Sequence, residues 1–196
     1  NGLVTVTGLE ENATWQYSVD GGDNWTDGSG SSFNVSTAAA YDLRVRQTDV
    51  AGNESDAGSL SFTLDTSAAE GNINLTNDTG TGSSDRITSD GTLSITGLES
   101  GASWQYRFNS GAEWENGSGS SLTITGDDGA KNVYVRQIDV AGNISDERAY
   151  NFTLDTDAVA PTLSITDTGS SSTDRITNNG LVTVTGLEEN ATWQYS

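Results

Sequence analysis

The chain has 196 residues, a length that suits one or two domains, and its 28 acidic and 8 basic residues give a net charge of −20. It contains no His and no Cys, which excludes Ser–His and Cys–His nucleophile pairs, disulfide bonds and a conventional zinc site. The charge disfavours nucleic acid and anionic membrane as partners, and no apolar run reaches the length of a membrane span.

The first recognisable motif is SVDGGDNW, from Ser18 to Trp25, which fits the S-x-D-x-G-x-x-W spacing of the Asp-box known from sialidases. Its Asp-Gly-Gly centre tolerates positive φ angles, so the motif predicts a hairpin with the Trp packed beneath it. The equivalent stretch RFNSGAEW, Arg107 to Trp114, keeps the Gly and the Trp but has neither the Ser nor the Asp. A structural hairpin is therefore favoured over a glycosidase site.

Internal repetition dominates the rest of the chain. WQY begins at Trp15, Trp104 and Trp193, so the period is 89 residues, and residues 1–18 are identical to residues 179–196. A recent duplication within an array, or assembly from repeated units, explains this identity, and we expect the chain to be an internal segment of something longer. The repeats predict three domains: 1–66, which lacks strand A; 67–156, which is complete; and 157–196, with strands A, B and the start of C.

Alternating polar and apolar residues predict the strands of the complete repeat. They are residues 72–76, 92–98, 103–108, 121–125, 132–139 and 149–154, separated by Gly, Ser, Asn and Asp clusters. About seven antiparallel strands in each repeat, without a helical period, predict an all-β chain of tandem Ig-like β-sandwiches. Trp15 and Trp104 are the expected core anchors on strand C. Tyr41 stands where a tyrosine corner could form, although its counterpart is Lys131.

The incomplete first and third repeats would leave sheet edges without partners. Together they hold every strand of one sandwich, so we expect either head-to-tail pairing between copies of the chain or covalent neighbours in a longer array.

Acidic and amide side chains concentrate at the predicted turns. The candidate metal ligands are Asp49, Asn53, Asp65, Asp78, Asp85, Asp139, Asn143, Asp146, Asp155 and Asp167, and Asp174 follows in the same loop as Asp167. Calcium prefers such oxygen ligands, whereas any single Asp is better explained as a turn former. The FG and linker residues taken together, in a chain with a charge of −20 and no disulfide, favour calcium. In an Ig topology the FG loop faces the preceding domain. Asp65 should therefore approach Asp139 and Asn143, and Asp155 should approach the FG loop of the next repeat.

An ordered set of motifs resembles the bacterial Ig-like repeats of giant surface adhesins. These motifs are LDT, APTLSITDTGSSSTDRITNNG, VTGLEENATWQYS, the DGG..W hairpin and RQTDVAGN. The resemblance implies an extracellular rod at the bacterial cell surface, exported by type I secretion as in RTX adhesins and bound to calcium. Such a rod projects a distal binding domain for cell adhesion and biofilm formation. The linker LDTSAAEGN departs from this pattern because it lacks the counterpart of Pro161.

Two other functions compete with this structural stalk. A glycan-binding sandwich would use Trp25 and Trp114 as exposed platforms, whereas the hairpin interpretation predicts that both are tucked in. A sialidase would need an Arg cluster, a Tyr nucleophile with an acidic partner and a propeller fold. Seven Arg residues, spread over the repeats and mostly on strands, do not supply this, so no enzymatic activity is expected.

Overall fold

The computed structural model describes residues 2–196, and these form β-strands, turns and loops without a helix. No helix long and apolar enough to cross a membrane is therefore found within that range. The all-β class predicted from the alternating strands is confirmed.

The first repeat is built from six strands in two sheets. The strands are β1 Gly2–Thr5, β2 Thr14–Ser18, β3 Thr26–Asp27, β4 Ser32–Val35, β5 Ala39–Thr48 and β6 Gly58–Leu64. One sheet has the order β3-β2-β5-β6, and the other pairs β1 with β4. Its core consists of buried apolar residues from both sheets: Val4, Trp15, Phe33, Val35 and Leu43.

The middle repeat has eight strands. They are β7 Asn72–Leu75, β8 Ile87–Thr88, β9 Thr92–Thr96, β10 Ser103–Phe108, β11 Glu115–Asn116, β12 Ser121–Thr123, β13 Gly129–Ile138 and β14 Arg148–Leu154. The two sheets have the orders β12-β9-β7 and β11-β10-β13-β14-β8, the arrangement of an Ig-like sandwich. All six predicted strands are present. The two-residue strands β8 and β11 were not predicted, and β8 pairs with β14 in parallel.

The third repeat contributes β15 Thr162–Ile165 and β16 Val182–Thr185, which pair antiparallel. Its apolar side chains are largely exposed: Leu163 by 71%, Leu181 by 64% and Trp193 by 50%.

The chain divides into two compact units. The first runs to Asn74 and adds Ser94–Leu122 and Val133–Tyr150; the second contains Leu75–Leu93, Thr123–Asn132 and Asn151–Ser196. The boundary between the two units passes through the middle repeat and so does not coincide with the boundaries of the sequence repeats. The three domains inferred from the sequence repeat, 1–66, 67–156 and 157–196, therefore stay a prediction.

Each of the first two repeats is anchored by a buried Trp, as the sequence predicted. Trp15 is 5% exposed and Trp104 is 3% exposed. Their indole Nε1–H groups donate to the carbonyls of Gly30, at 3.0 Å, and Gly119, at 2.8 Å. The ring of Trp15 lies against Gly28 and that of Trp104 against Gly117, so closely that a Cβ at either glycine would lie 2.1–2.2 Å from the ring.

Replacing Gly28 with Ala should destabilise the first repeat, because the new methyl group would overlap the Trp15 ring. Overpacking of this kind lowers the free energy of unfolding by about 1–3 kcal/mol. Equilibrium urea unfolding measures the loss. Gly58→Ala is the matched control, since its Cβ would meet nothing closer than the Val45 carbonyl at 3.8 Å. Equal urea midpoints for the two variants would contradict this account of the packing.

Candidate metal centre

Three carboxylates converge within the first compact unit. Asp65 follows β6, Glu99 lies in the turn between β9 and β10, and Asp139 follows β13. One oxygen from each lies within 4.8 Å of one oxygen from each of the others. Asp65 and Glu99 are half-buried, and Asp139 is buried. Asp65 belongs to the first sequence repeat and the other two to the middle repeat.

Glu99 is held in place by two hydrogen bonds, one to the linker and one to the side chain of Gln137 in β13. Its side-chain Oε1 accepts a hydrogen bond from the Ala69 N–H at 2.6 Å, and its own N–H donates to Gln137 Oε1 at 2.9 Å. Gln137 is fully buried, and its Nε2 donates to the Ala69 carbonyl. The linker is thus pinned at Ala69 by two side chains of the middle repeat.

Asp139 is fixed by the loop that follows it. Its Oδ1 accepts from the Asn143 N–H at 2.8 Å, and its Oδ2 accepts from Asn143 Nδ2 at 2.7 Å. Burial opposes ionisation, but these hydrogen bonds outweigh it and lower the pKa of Asp139. Asp139 therefore carries its negative charge at neutral pH. Asp49 and Asn53 form the same pair in the first repeat, with both bonds at 2.7 Å, and there too the bonds lower the pKa of the Asp49 carboxyl.

No basic side chain neutralises the cluster through an ion pair in the described part of the chain. The ion pairs there are Arg44–Asp42, Arg46–Glu54, Arg107–Glu147 and Arg148–Glu70. Oxygens bound to one calcium ion at about 2.3–2.6 Å lie no more than about 5 Å apart, and the three carboxylates meet that limit. Backbone carbonyls and water would have to complete the six to eight ligands that calcium prefers.

The sequence anticipated two of these residues and missed the third. Asp65 and Asp139 were both expected at this junction, and Asn143 serves as the hydrogen-bond partner of Asp139. Glu99 was overlooked, although a signal existed, because the TGLE motif places a glutamate in the same turn of all three repeats. In the third repeat Glu188 Oε1 accepts from the Val159 N–H at 2.7 Å, which reproduces the contact between Glu99 and Ala69.

Four of the other predicted ligands, counting Asp174, shape the loops after β7 and β15. Asp78 Oδ2 accepts from the Arg86 N–H at 3.0 Å, and Asp167 Oδ2 accepts from the Arg175 N–H at 2.8 Å. The second oxygen of each is buried and accepts no hydrogen bond. Asp85 and Asp174 accept from Ile87 and Ile176, both at 3.0 Å.

Asp146 and Asp155 are exposed. Asp155 belongs to the second unit, as do all four loop aspartates. Asp49, Asn53 and Asp146 belong to the first unit, in which the three-carboxylate cluster forms.

The Asp-box motif forms the predicted hairpin between β2 and β3. Ser18 Oγ donates to Asp20 Oδ1 at 2.6 Å, and Asp20 also accepts from the N–H and the Nδ2 of Asn24, at 3.0 and 2.7 Å. The hydrogen bonds from Ser18 and Asn24 hold the pKa of Asp20 far below its ordinary range. Both oxygens of Asp20 are thus engaged in stabilising the turn.

The two hairpin tryptophans do not form open platforms. Trp25 is half-buried, with the Arg46 guanidinium 4.2 Å from its ring centre. Trp114 is also half-buried and lies near two guanidinium groups, Arg136 at 4.2 Å and Arg107 at 4.7 Å. These cation–π contacts cover ring surface that a sugar would need.

No protein-family model and no curated protein matches this chain. Among solved structures it is similar to the fibronectin(III)-like modules of Clostridium thermocellum CbhA. The two chains share 8% identity with a TM-score of 0.39, over 75% of this chain and 82% of the other.

Proposed function

We propose that this chain of β-sandwich repeats is a structural stalk whose junctions are stiffened by calcium. The observation that carries the proposal is the meeting of Asp65, from one repeat, with Glu99 and Asp139 of the next. A stalk needs no catalytic group. It needs junctions that resist bending, and residues from two successive repeats supply the ligands of such a junction.

A cation would act on the junction in two ways. Without one, three like charges within 4.8 Å repel each other and oppose the approach of Asp65 to the other two carboxylates. With one bound, the repulsion becomes attraction to a shared ion. The hydrogen bonds at Ala69 place the linker independently of any ion, so binding has only a short rearrangement to complete.

A chain with a net charge of −20 offers many carboxylates to calcium. This suits an extracellular setting, where calcium is abundant enough to fill weak sites. Extracellular modules bind calcium with dissociation constants of about 10⁻⁴–10⁻³ M. The absence of Cys removes disulfide bonds as an alternative source of stability. The charge, the absence of Cys and the resemblance to adhesin repeats together support a stalk at the bacterial cell surface. Such a stalk holds a distal adhesion domain away from the cell.

Calcium should raise the melting temperature of the chain. At about a hundredfold excess over the dissociation constant, each independent site adds about 2.7 kcal/mol of stability. Thermal melts in EDTA and in about 10 mM calcium measure the shift. Asp139→Asn and Glu99→Gln should each remove most of the shift that arises at this junction.

Glu113→Gln provides the matched control for that experiment, because it makes the same change of charge at an exposed position of the middle repeat. It should respond to calcium as the unaltered chain does. A melt that is the same in EDTA and calcium would overturn the calcium proposal, and so would equal responses of Glu99→Gln and Glu113→Gln.

The chain should not hydrolyse sialosides. Asp20, the acidic residue of the Asp-box, is fully engaged with Ser18 and Asn24, and the seven Arg residues are spread along the chain, whereas a sialidase needs them clustered around the substrate carboxylate. A fluorogenic sialoside, assayed beside an authentic sialidase, tests this expectation. Turnover above background that Asp20→Ala abolishes would disprove it.

A further inference from the structure

The hairpin of β10 and β11, in the middle repeat, ends in an Asn–Gly pair. Asn116 is exposed and lies in β11, the edge strand of its sheet, and Gly117 follows it directly. Packing imposes the glycine, because a Cβ at Gly117 would lie 2.2 Å from the Trp104 ring. Without a Cβ, the Gly117 nitrogen is unshielded and can approach the side-chain amide of Asn116 closely. The fold thus retains a chemically reactive pair whose second member it cannot replace with a bulkier residue.

The first repeat has Asp–Gly at the same position. Alignment of TDGSGS with ENGSGS makes Asp27 the counterpart of Asn116. Asn116 Oδ1 accepts a hydrogen bond from Gln105 Nε2 at 3.0 Å. Asp27 Oδ1 accepts the equivalent bond from Gln16 Nε2 at 2.8 Å. The hairpin therefore accommodates an aspartate at the position where conversion of Asn116 would create one.

Each of these glutamines also binds a guanidinium group. Gln105 Oε1 accepts from Arg136 Nε at 3.0 Å and from its Nη2 at 2.8 Å. Arg46 bonds the equivalent glutamine of the first repeat in the same way, and it also pairs with Glu54 at 2.8 Å. Ile144 stands in the place of Glu54 in the middle repeat, and within residues 2–196 Arg136 takes part in no ion pair. A carboxylate at the far end of this relay would supply the negative charge that the guanidinium lacks.

The folded hairpin restrains the Asn–Gly pair. The Gly117 N–H donates to the Trp104 carbonyl at 2.9 Å, and Asn116 is held opposite Gln105 in the β10–β11 ladder. Attack on the Asn116 side chain requires the Gly117 nitrogen to leave that bond and to lose its proton. Strand β11 has two residues and a single neighbouring strand, so few bonds have to break before the hairpin end opens.

We propose that Asn116 is a site of spontaneous deamidation, which proceeds when the end of this hairpin opens. The Gly117 nitrogen attacks Cγ of Asn116, the Cγ–Nδ2 bond breaks, and the amide leaves as ammonia with the proton that the nitrogen has lost. Water then opens the cyclic imide to a carboxylate, so no enzyme, oxidant or cofactor is required. Cleavage of the new bond to Cγ gives aspartate, which completes the relay. Cleavage of the original peptide bond gives isoaspartate, whose longer backbone would pull Gly117 away from Trp104.

Peptide mapping by mass spectrometry, on the full chain kept in mildly alkaline buffer, measures the conversion. In the folded chain Asn116 should convert at least about tenfold faster than Asn74, which is also exposed but precedes the bulky Leu75. Unfolding in urea should accelerate the conversion of Asn116 by at least about tenfold more, because every molecule then has a free Gly117 nitrogen. Conversion of Asn116 that is no faster than that of Asn74, or that urea leaves unchanged, overturns the proposal.

The variant Asn116→Asp tests whether the fold accommodates the product. Added negative charge opposes folding of a chain at −20, so Asn74→Asp should lower the urea midpoint. Asn116→Asp should not lower it, because Arg136 is linked to the new carboxylate through Gln105. In an Arg136→Gln background the two aspartate variants should lower the midpoint equally. A lower midpoint for Asn116→Asp alone, or an advantage that persists without Arg136, contradicts the relay.

Discussion

The buried side-chain amide of Gln137 is the interaction on which the candidate metal centre depends. One end accepts from the Glu99 N–H, and the other donates to the Ala69 carbonyl. A buried amide left without partners destabilises a fold, so these two bonds are effectively obligatory. They tie a turn and a linker to strand β13, and Asp139 follows that strand directly. The neutral amide of Gln137 thus ties the turn that carries Glu99 and the linker that follows Asp65 to the strand that precedes Asp139.

In a chain with a charge of −20, it matters that neutral groups hold the junction together and that the charged cluster does not have to. If the carboxylates had to hold the junction together themselves, their mutual repulsion would open it. Backbone N–H groups instead accommodate part of their charge, from Ala69 to Glu99 and from Asn143 to Asp139. The charge that remains is what a divalent cation would recognise. The scaffold and the binding property can therefore vary independently from one repeat to the next.

The strands and the core were predictable because both depend on period-two alternation and on a large buried aromatic. The approach of Asp65 to Asp139 was also predictable, since the topology alone brings the FG loop to the linker. Glu99 was not found, because its role depends on a turn that a distant Gln137 holds, and no local pattern shows that contact. Asp78 and Asp85 were predicted as ligands from composition. Each has an oxygen that accepts from the backbone of its own loop, a use that composition does not distinguish from metal binding.

The identical segments at 1–18 and 179–196 show where the limit of local sequence lies. Both copies form a strand near their start, β1 and β16, so strand formation follows from the residues themselves. Burial does not. Trp15 is 5% exposed because β2 pairs with β5 and Gly28 lies against its ring, whereas Trp193, with the same neighbours in sequence, is 50% exposed. The partner strands decide whether this indole becomes a core anchor. The same residues therefore keep the capacity to form a strand pair whether or not their apolar face is covered.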